Sequence, residues 1–178
     1  GRLASPTLQY EYEIGMNDRF DVGIYQKFKQ GPDSPLAYHG FKVRMRYRLG
    51  EKGRWPMDPL IYLEYKDNPA FDHSALEAKL ILARDFDRFN ISLNPVLEFE
   101  FEEDDTEVEF EYTAGLSYAL HPLLSLGLET KGNTDNFYWG PTLSHGKEHL
   151  WFALGYLFPG TNDTSSDRMM RFIIGVGL

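Results

Sequence analysis

Apolar and polar residues alternate with period two along nearly the whole chain, the pattern of strands with one greasy and one polar face. Leu8, Tyr10, Tyr12, Ile14 and Met16 share one face, while Gln9, Glu11, Glu13 and Gly15 share the other. After a tight turn at Asn17-Asp18-Arg19, Phe20, Val22, Ile24, Gln26 and Phe28 alternate with Asp21, Gly23, Tyr25, Lys27 and Lys29. A third strand sets Phe41, Val43, Met45, Tyr47 and Leu49 against Lys42, Arg44, Arg46 and Arg48. A fourth sets Ile61, Leu63 and Tyr65 against Tyr62, Glu64 and Lys66.

Segment 74–84 has a helix-friendly composition, but Leu76, Ala78, Leu80 and Leu82 oppose Glu77 and Lys79, and strands flank it. Phe89, Ile91, Leu93, Leu97, Phe99 and Phe101 then oppose Asn90, Ser92, Asn94, Glu98, Glu100 and Glu102. Val108, Phe110, Tyr112, Ala114, Leu116 and Tyr118 oppose Glu107, Glu109, Glu111, Thr113, Gly115 and Ser117. Further strands near 123–130, 136–145, 149–158 and 168–178 bring the count to eleven.

The connections come in two kinds. Asn17-Arg19, Asp85-Arg88, His121-Pro122 and Gly146-Glu148 are tight, whereas 30–37, 67–73, 102–106, 131–136 and 159–167 are looser and polar. Short turns at one end and longer loops at the other predict an all-β, closed, antiparallel up-and-down transmembrane β-barrel. The whole of 1–178 is expected to be one such domain, with no linker or low-complexity segment. Such bacterial barrels have even strand numbers, so about 12 strands are expected although 11 are read. The turn at 50–59 is long for the short-turn end. Pro95 and Pro141 fall inside strands, where a missing N–H interrupts the ladder.

Alternation alone does not say which face is inside. Gly15, Gly23, Gly40, Gly115, Gly127, Gly140, Gly175 and Gly177 fall on the charged or small-residue face. Small residues beside large ones are what a crowded barrel interior needs. Tyr10, Tyr12, Tyr47, Tyr65, Tyr112, Tyr118 and Tyr156 lie on the apolar face, several near strand ends, as interfacial girdles do. A lysine or arginine facing lipid costs about 2–4 kcal/mol at the midplane. The row Lys42, Arg44, Arg46 therefore points inward if the barrel is in a membrane. A water-soluble, lipid-carrying barrel with an apolar centre has the same period, but eleven strands exceed the eight of lipocalins.

Composition narrows the function. The net charge of -9 leaves no basic surface for nucleic acid. With no cysteine, there is no disulfide, thiolate metal site or thiol nucleophile. No run of about 18 apolar residues exists to form a membrane helix. The opening Gly1-Arg2-Leu3-Ala4-Ser5-Pro6 reads as a mature or trimmed N-terminus.

The polar face carries the candidate chemistry, a lumen charge network of Glu11, Glu13, Lys42, Arg44, Arg46, Glu64, Glu77, Lys79, Glu98, Glu100, Glu109, Glu111, Glu129 and Arg171. One reading is a charged lumen that selects solutes or conducts ions. The other is an ion-paired interior that only holds the barrel shut, since buried charges need partners. Acidic Glu103-Asp104-Asp105 and the loop 161–167 offer hard oxygens for Ca²⁺, but neither has the EF-hand spacing, and solvated loops are expected. His39, His73, His121, His145 and His149 are spread over turns and strands without a third ligand. Neither G-x-S-x-G nor H-E-x-x-H occurs, and Ser144 and His145 point to opposite faces of a strand. No catalytic residue, metal site or cofactor is expected.

The stretches Tyr10-Glu11-Tyr12-Glu13-Ile14-Gly15-Met16-Asn17-Asp18-Arg19-Phe20-Asp21-Val22, Pro59-Leu60-Ile61-Tyr62-Leu63-Glu64-Tyr65 and Leu126-Gly127-Leu128-Glu129 resemble Gram-negative outer-membrane barrels. They are similar to the porin-like "MetA pathway of phenol degradation" transporter family. The resemblance implies a barrel of about twelve strands and a transport role. The short chain and short loops depart from larger porins, which argues against a wide channel. The expectation is a non-enzymatic barrel in the bacterial outer membrane, with a narrow charged lumen for small solutes. Its neighbours would be outer-membrane lipid and lipopolysaccharide, and a membrane-protein or periplasmic partner. The alternatives are a structural or scaffold barrel in an outer-membrane complex, a lipid-modifying enzyme, and the soluble lipid carrier.

Overall fold

Every alternating run forms a strand in the computed structural model, which describes residues 6–31, 34–101, 105–147, 149–160 and 168–177. The strands are β1 (Thr7–Asn17), β2 (Phe20–Gln30), β3 (Leu36–Arg48), β4 (Asp58–Asp67), β5 (Ser74–Phe86) and β6 (Phe89–Phe101). They continue with β7 (Thr106–His121), β8 (Leu124–Asn133), β9 (Phe137–Lys147), β10 (Leu150–Pro159) and β11 (Met169–Val176). They form one sheet in sequence order, β1 through β11, with the antiparallel pairing of an up-and-down meander. No described residue is helical, so 74–84 is strand despite its composition. The acidic residues Glu102, Glu103 and Asp104, the loop 161–167 and the start 1–5 lie outside the described residues.

The chain divides into two compact units. One comprises Gly1–Leu49, Leu60–Leu80 and Val96–Glu109; the other comprises Gly50–Pro59, Ile81–Pro95 and Phe110–Leu178. In both, the apolar face is exposed. Leu63, Tyr65 and Leu97 in the first unit and Leu116, Leu126 and Leu128 in the second are all solvent-accessible. Meanwhile Arg44, Glu64, Glu77 and Glu98 are buried on the polar face. This is the reverse of a water-soluble sheet, whose charged face points out.

The irregularities have local causes. A register shift between Lys27 and Phe28 lies opposite Gly40, whose φ of 132° few side-chain-bearing residues adopt. Pro141 pairs with Leu128 on β8, but the β9–β10 ladder has no pairing at positions 140–141 opposite 156–157. There the missing proline N–H leaves the gap. Asn133 extends β8 beyond the sequence boundary because its side chain accepts bonds from the N–H groups of Asp135 and Asn136, closing a turn of three residues.

The long connection 49–57 is an ordered turn. The Gly53 N–H donates to Asp58 at 2.6 Å, Arg84 donates to the Trp55 carbonyl at 2.8 Å, and Lys52 pairs with Asp85 at 2.7 Å. Asp85 holds the Lys52 ammonium above the ordinary lysine range.

Candidate functional site

Register decides which polar-face side chains meet. In the first unit, Glu13 on β1 lies opposite Gly23 on β2, Gly23 opposite Arg44 on β3, and Arg44 opposite Glu64 on β4. Because Gly23 has no side chain, the Arg44 guanidinium lies over it and reaches β1. A Cβ on Gly23 would stand 2.7 Å from both Nε and a terminal nitrogen of Arg44. That guanidinium meets Glu13 at 2.8 Å, Glu11 at 2.9 Å and Asp21 at 3.3 Å. Arg46 binds Glu13 at 2.6 Å and Asp21 at 2.8 Å. Three carboxylates thus share two guanidiniums. Arg44 is only 3% exposed, so this arrangement satisfies a charge that is costly to bury alone.

The next cluster is built on lysines. The register sets Lys42 opposite Lys66, two like charges, and the conflict is relieved diagonally. Lys42 donates to Glu64 at 2.8 Å, while Lys66 pairs with Glu98 at 2.5 Å and Glu77 at 3.3 Å. Lys79 pairs with Glu77 at 2.7 Å and sits 4.3 Å from the centre of the Tyr62 ring. The Tyr62 hydroxyl donates to Glu64 at 2.5 Å. The Tyr25 ring lies 5.8 Å from both Lys42 Nζ and the Arg44 guanidinium carbon. Glu64 is 2% exposed and is held from two directions.

Glu100 continues the polar face of β6 toward the loop and is exposed, with Glu98, Glu107 and Glu109 as its acidic neighbours. Glu109 is half-buried at the edge of the same unit.

The second unit has a different polar face. One row across five strands reads Ser117, Gly127, Thr142, Gly155, Arg171. The next reads Ala119, Ser125, Ser144, Ala153, Ile173. Asn94 donates to Thr113 at 2.7 Å, and Ser92 lies against Gly115. The expected charges here are Glu111, half-buried and paired in register with Asn133, and the Glu129–Arg171 pair. The Arg171 guanidinium donates to both Glu129 oxygens, at 2.8 and 2.5 Å. It reaches β8 across β9 and β10, where Gly155 lies opposite Arg171 and Gly140 opposite Glu129. A Cβ on Gly155 would touch only the Thr142 methyl, at 3.6 Å.

The sequence-predicted network is therefore gathered in part. Glu11, Glu13, Lys42, Arg44, Arg46, Glu64, Glu77, Lys79 and Glu98 join in the first unit, and Glu129 and Arg171 form a separate pair in the second. Asp21, Lys66, Tyr25 and Tyr62 also take part in the two clusters of the first unit and are not among the residues the sequence singles out. Alternation had placed all four on the charged face, which was the available signal. Among the histidines, His145 stacks on Phe152 with ring centres 5.5 Å apart.

Compared with known proteins, the chain matches no protein-family model and no curated protein.

Proposed function

We propose that this chain is a non-enzymatic, closed β-barrel of about twelve strands in the bacterial outer membrane, with a narrow charged lumen that passes small solutes. The observation that carries the reading is the reversed burial. Arg44, Glu64, Glu77 and Glu98 are withdrawn from solvent while Leu63, Leu97, Leu116 and Leu128 are exposed. In water, exposing so many leucines and tyrosines on the apolar face of each unit would invite aggregation. Against acyl chains and lipopolysaccharide the same face is at home. The soluble carrier would need the opposite orientation.

The small-residue rows of the second unit support passage of solute, because glycine, serine and threonine project little into a lumen and offer hydroxyls to a polar guest. The resemblance to porin-like transporters points the same way. The bound charges of the first unit favour a second reading, a structural barrel whose interior is locked by ion pairs. Planar-bilayer recording separates the two. Steady ion-selective steps support passage. An inserted barrel, shown by heat-modifiable gel migration, that stays electrically silent supports the structural role. Protein that remains monomeric in buffer without detergent contradicts both.

A further inference from the structure

Among the described residues of the second unit, Arg84 and Arg168 fall on the apolar side of the sheet. Arg84 shares its face with Leu82 and Phe86 on β5 and is engaged there. It donates to the Trp55 carbonyl at 2.8 Å and lies 3.8 Å from Asp58. Arg168 directly precedes β11 and stands two residues before Met170, so it shares the face of Met170, Phe172 and Ile174, all exposed. Among the described residues no carboxylate lies within ion-pair distance of its guanidinium, which is exposed. Its contacts are the Tyr156 hydroxyl, to which it donates at 3.4 Å, and the Phe158 ring, whose centre is 5.9 Å from the guanidinium carbon.

Those two rings belong to an aromatic ledge. Tyr156 meets Phe158 edge-on at 5.0 Å, and Phe158 pairs in register with Trp139, ring centres 6.1 Å apart. Trp139 opens β9, Phe158 closes β10 and Arg168 leads into β11, so the ledge lies at the end of the sheet that carries the longer connections 131–136 and 159–167. An arginine on a lipid-facing surface is costly at mid-depth and nearly free at the headgroup level, where its stem lies along apolar rings and its charge reaches out. A guanidinium has five N–H donors, and their planar fork matches two oxygens of a phosphate. The Tyr156 hydroxyl accepts from Arg168 and keeps its own hydrogen for the same anion. The other acids of this end do not answer the charge. Asp135 sits in the β8–β9 turn, two strands or about 10 Å from β11. Glu129 is held by Arg171 on the polar face. Asp163 and Asp167 lie outside the described residues.

We infer that Arg168 and Tyr156 bind the phosphate of a membrane-lipid headgroup, with Trp139 and Phe158 as the ledge on which the lipid rests. A phosphomonoester is preferred, since it offers three terminal oxygens and brings no ammonium of its own to compete with the arginine. The inference rests on the barrel reading, which sets this face against lipid.

Trp139 reports on its own surroundings once Trp55 and Trp151, the other two tryptophans, are replaced by phenylalanine. In phosphatidylcholine vesicles its fluorescence is quenched by brominated phosphatidic acid or, separately, by brominated phosphatidylcholine, and the ratio gives the relative affinity. Phosphatidic acid is expected to be favoured about fivefold, and Arg168→Gln should bring the ratio near one. Exchanging sodium chloride for sodium phosphate at equal ionic strength should leave the ratio unchanged. A ratio near one in the parent, or one that Arg168→Gln does not lower, overturns the inference. So does a ratio abolished by phosphate but not by chloride, which assigns the site to the free anion. Asp163→Asn/Asp167→Asn should keep the ratio, and a preference that arises only in that variant makes the loop acids the partners of Arg168 and overturns the inference too. Equal quenching by both lipids removes the phosphate site and leaves the barrel reading standing, whereas quenching by neither overturns both.

Discussion

The two units present the same kind of sheet and opposite kinds of polar face. In the first, long charged side chains fill the face and pair with one another, with Arg44 and Glu64 almost wholly buried. In the second, rows of glycine, alanine, serine and threonine are crossed, among the described residues, by one arginine–carboxylate pair, Arg171–Glu129. In both, an arginine reaches an acid beyond the neighbouring strand. Arg44 crosses Gly23 to Glu13, and Arg171 on β11 binds Glu129 on β8. The difference lies in what surrounds the bond. Arg44 sits among three carboxylates in a packed site, whereas Arg171 is half exposed and answers to one. A charge is held firmly where neighbours exclude water and weakly where they do not.

That contrast predicts a ranked set of effects. Arg44→Ala takes one cation from Glu11, Glu13 and Asp21, of which Glu13 and Asp21 keep Arg46, and should lose about 3 kcal/mol of unfolding free energy. Loss of one partner from a buried pair costs 3–5 kcal/mol, and the partial exposure of two of the acids places the value at the lower end. Urea unfolding in micelles, followed by tryptophan fluorescence, measures it. Gly23→Ala should cost about 1–2 kcal/mol in the same assay, because the new methyl displaces a guanidinium that Glu11 and Glu13 hold in place.

Arg171→Met should cost at most about 1 kcal/mol, and the difference from the parent should shrink when unfolding is repeated in high salt. The smallest effect has the opposite sign. Gly155→Ala fits at ordinary contact distance and should add about 0.5 kcal/mol, since a strand glycine forgoes entropy that alanine keeps. If Gly23→Ala and Gly155→Ala behave alike, the contrast between a packed and an open polar face is wrong.

The strands were legible because their period survives in single residues. Leu8 to Met16 and Phe41 to Leu49 alternate without a break, and eleven such runs appear as eleven strands. The charged face was legible for the same reason, including Lys42, Arg44 and Glu64. Pairings were not. Whether Arg44 meets Glu13 depends on register, set by the two-residue turn between Asn17 and Phe20, and on the clear path over Gly23. Asp21 and Lys66 are missed because their partners lie on other strands, Arg46 directly opposite Asp21 and Arg44 two residues along from it. Tyr25 and Tyr62 were hidden by chemistry, since an aromatic on a charged face looks out of place until its ring is seen beside Lys42 or Lys79. The turn read at 50–59 is anomalous by length alone, and only the bonds to Asp58, Arg84 and Asp85 in the observed connection 49–57 explain it.

On the proposed barrel reading, the exposed apolar face meets lipid while the charged and small-residue face meets water. Single cysteines replacing Leu63 and Leu128 on one face, and Thr142 and Ser125 on the other, can each carry a spin label in a chain that has no cysteine of its own. In phospholipid vesicles, the account predicts strong relaxation by dissolved oxygen and little by an aqueous nickel chelate at Leu63 and Leu128, with the reverse at Thr142 and Ser125. Nickel access at Leu63 and Leu128 with oxygen dominance at Thr142 and Ser125 would contradict it.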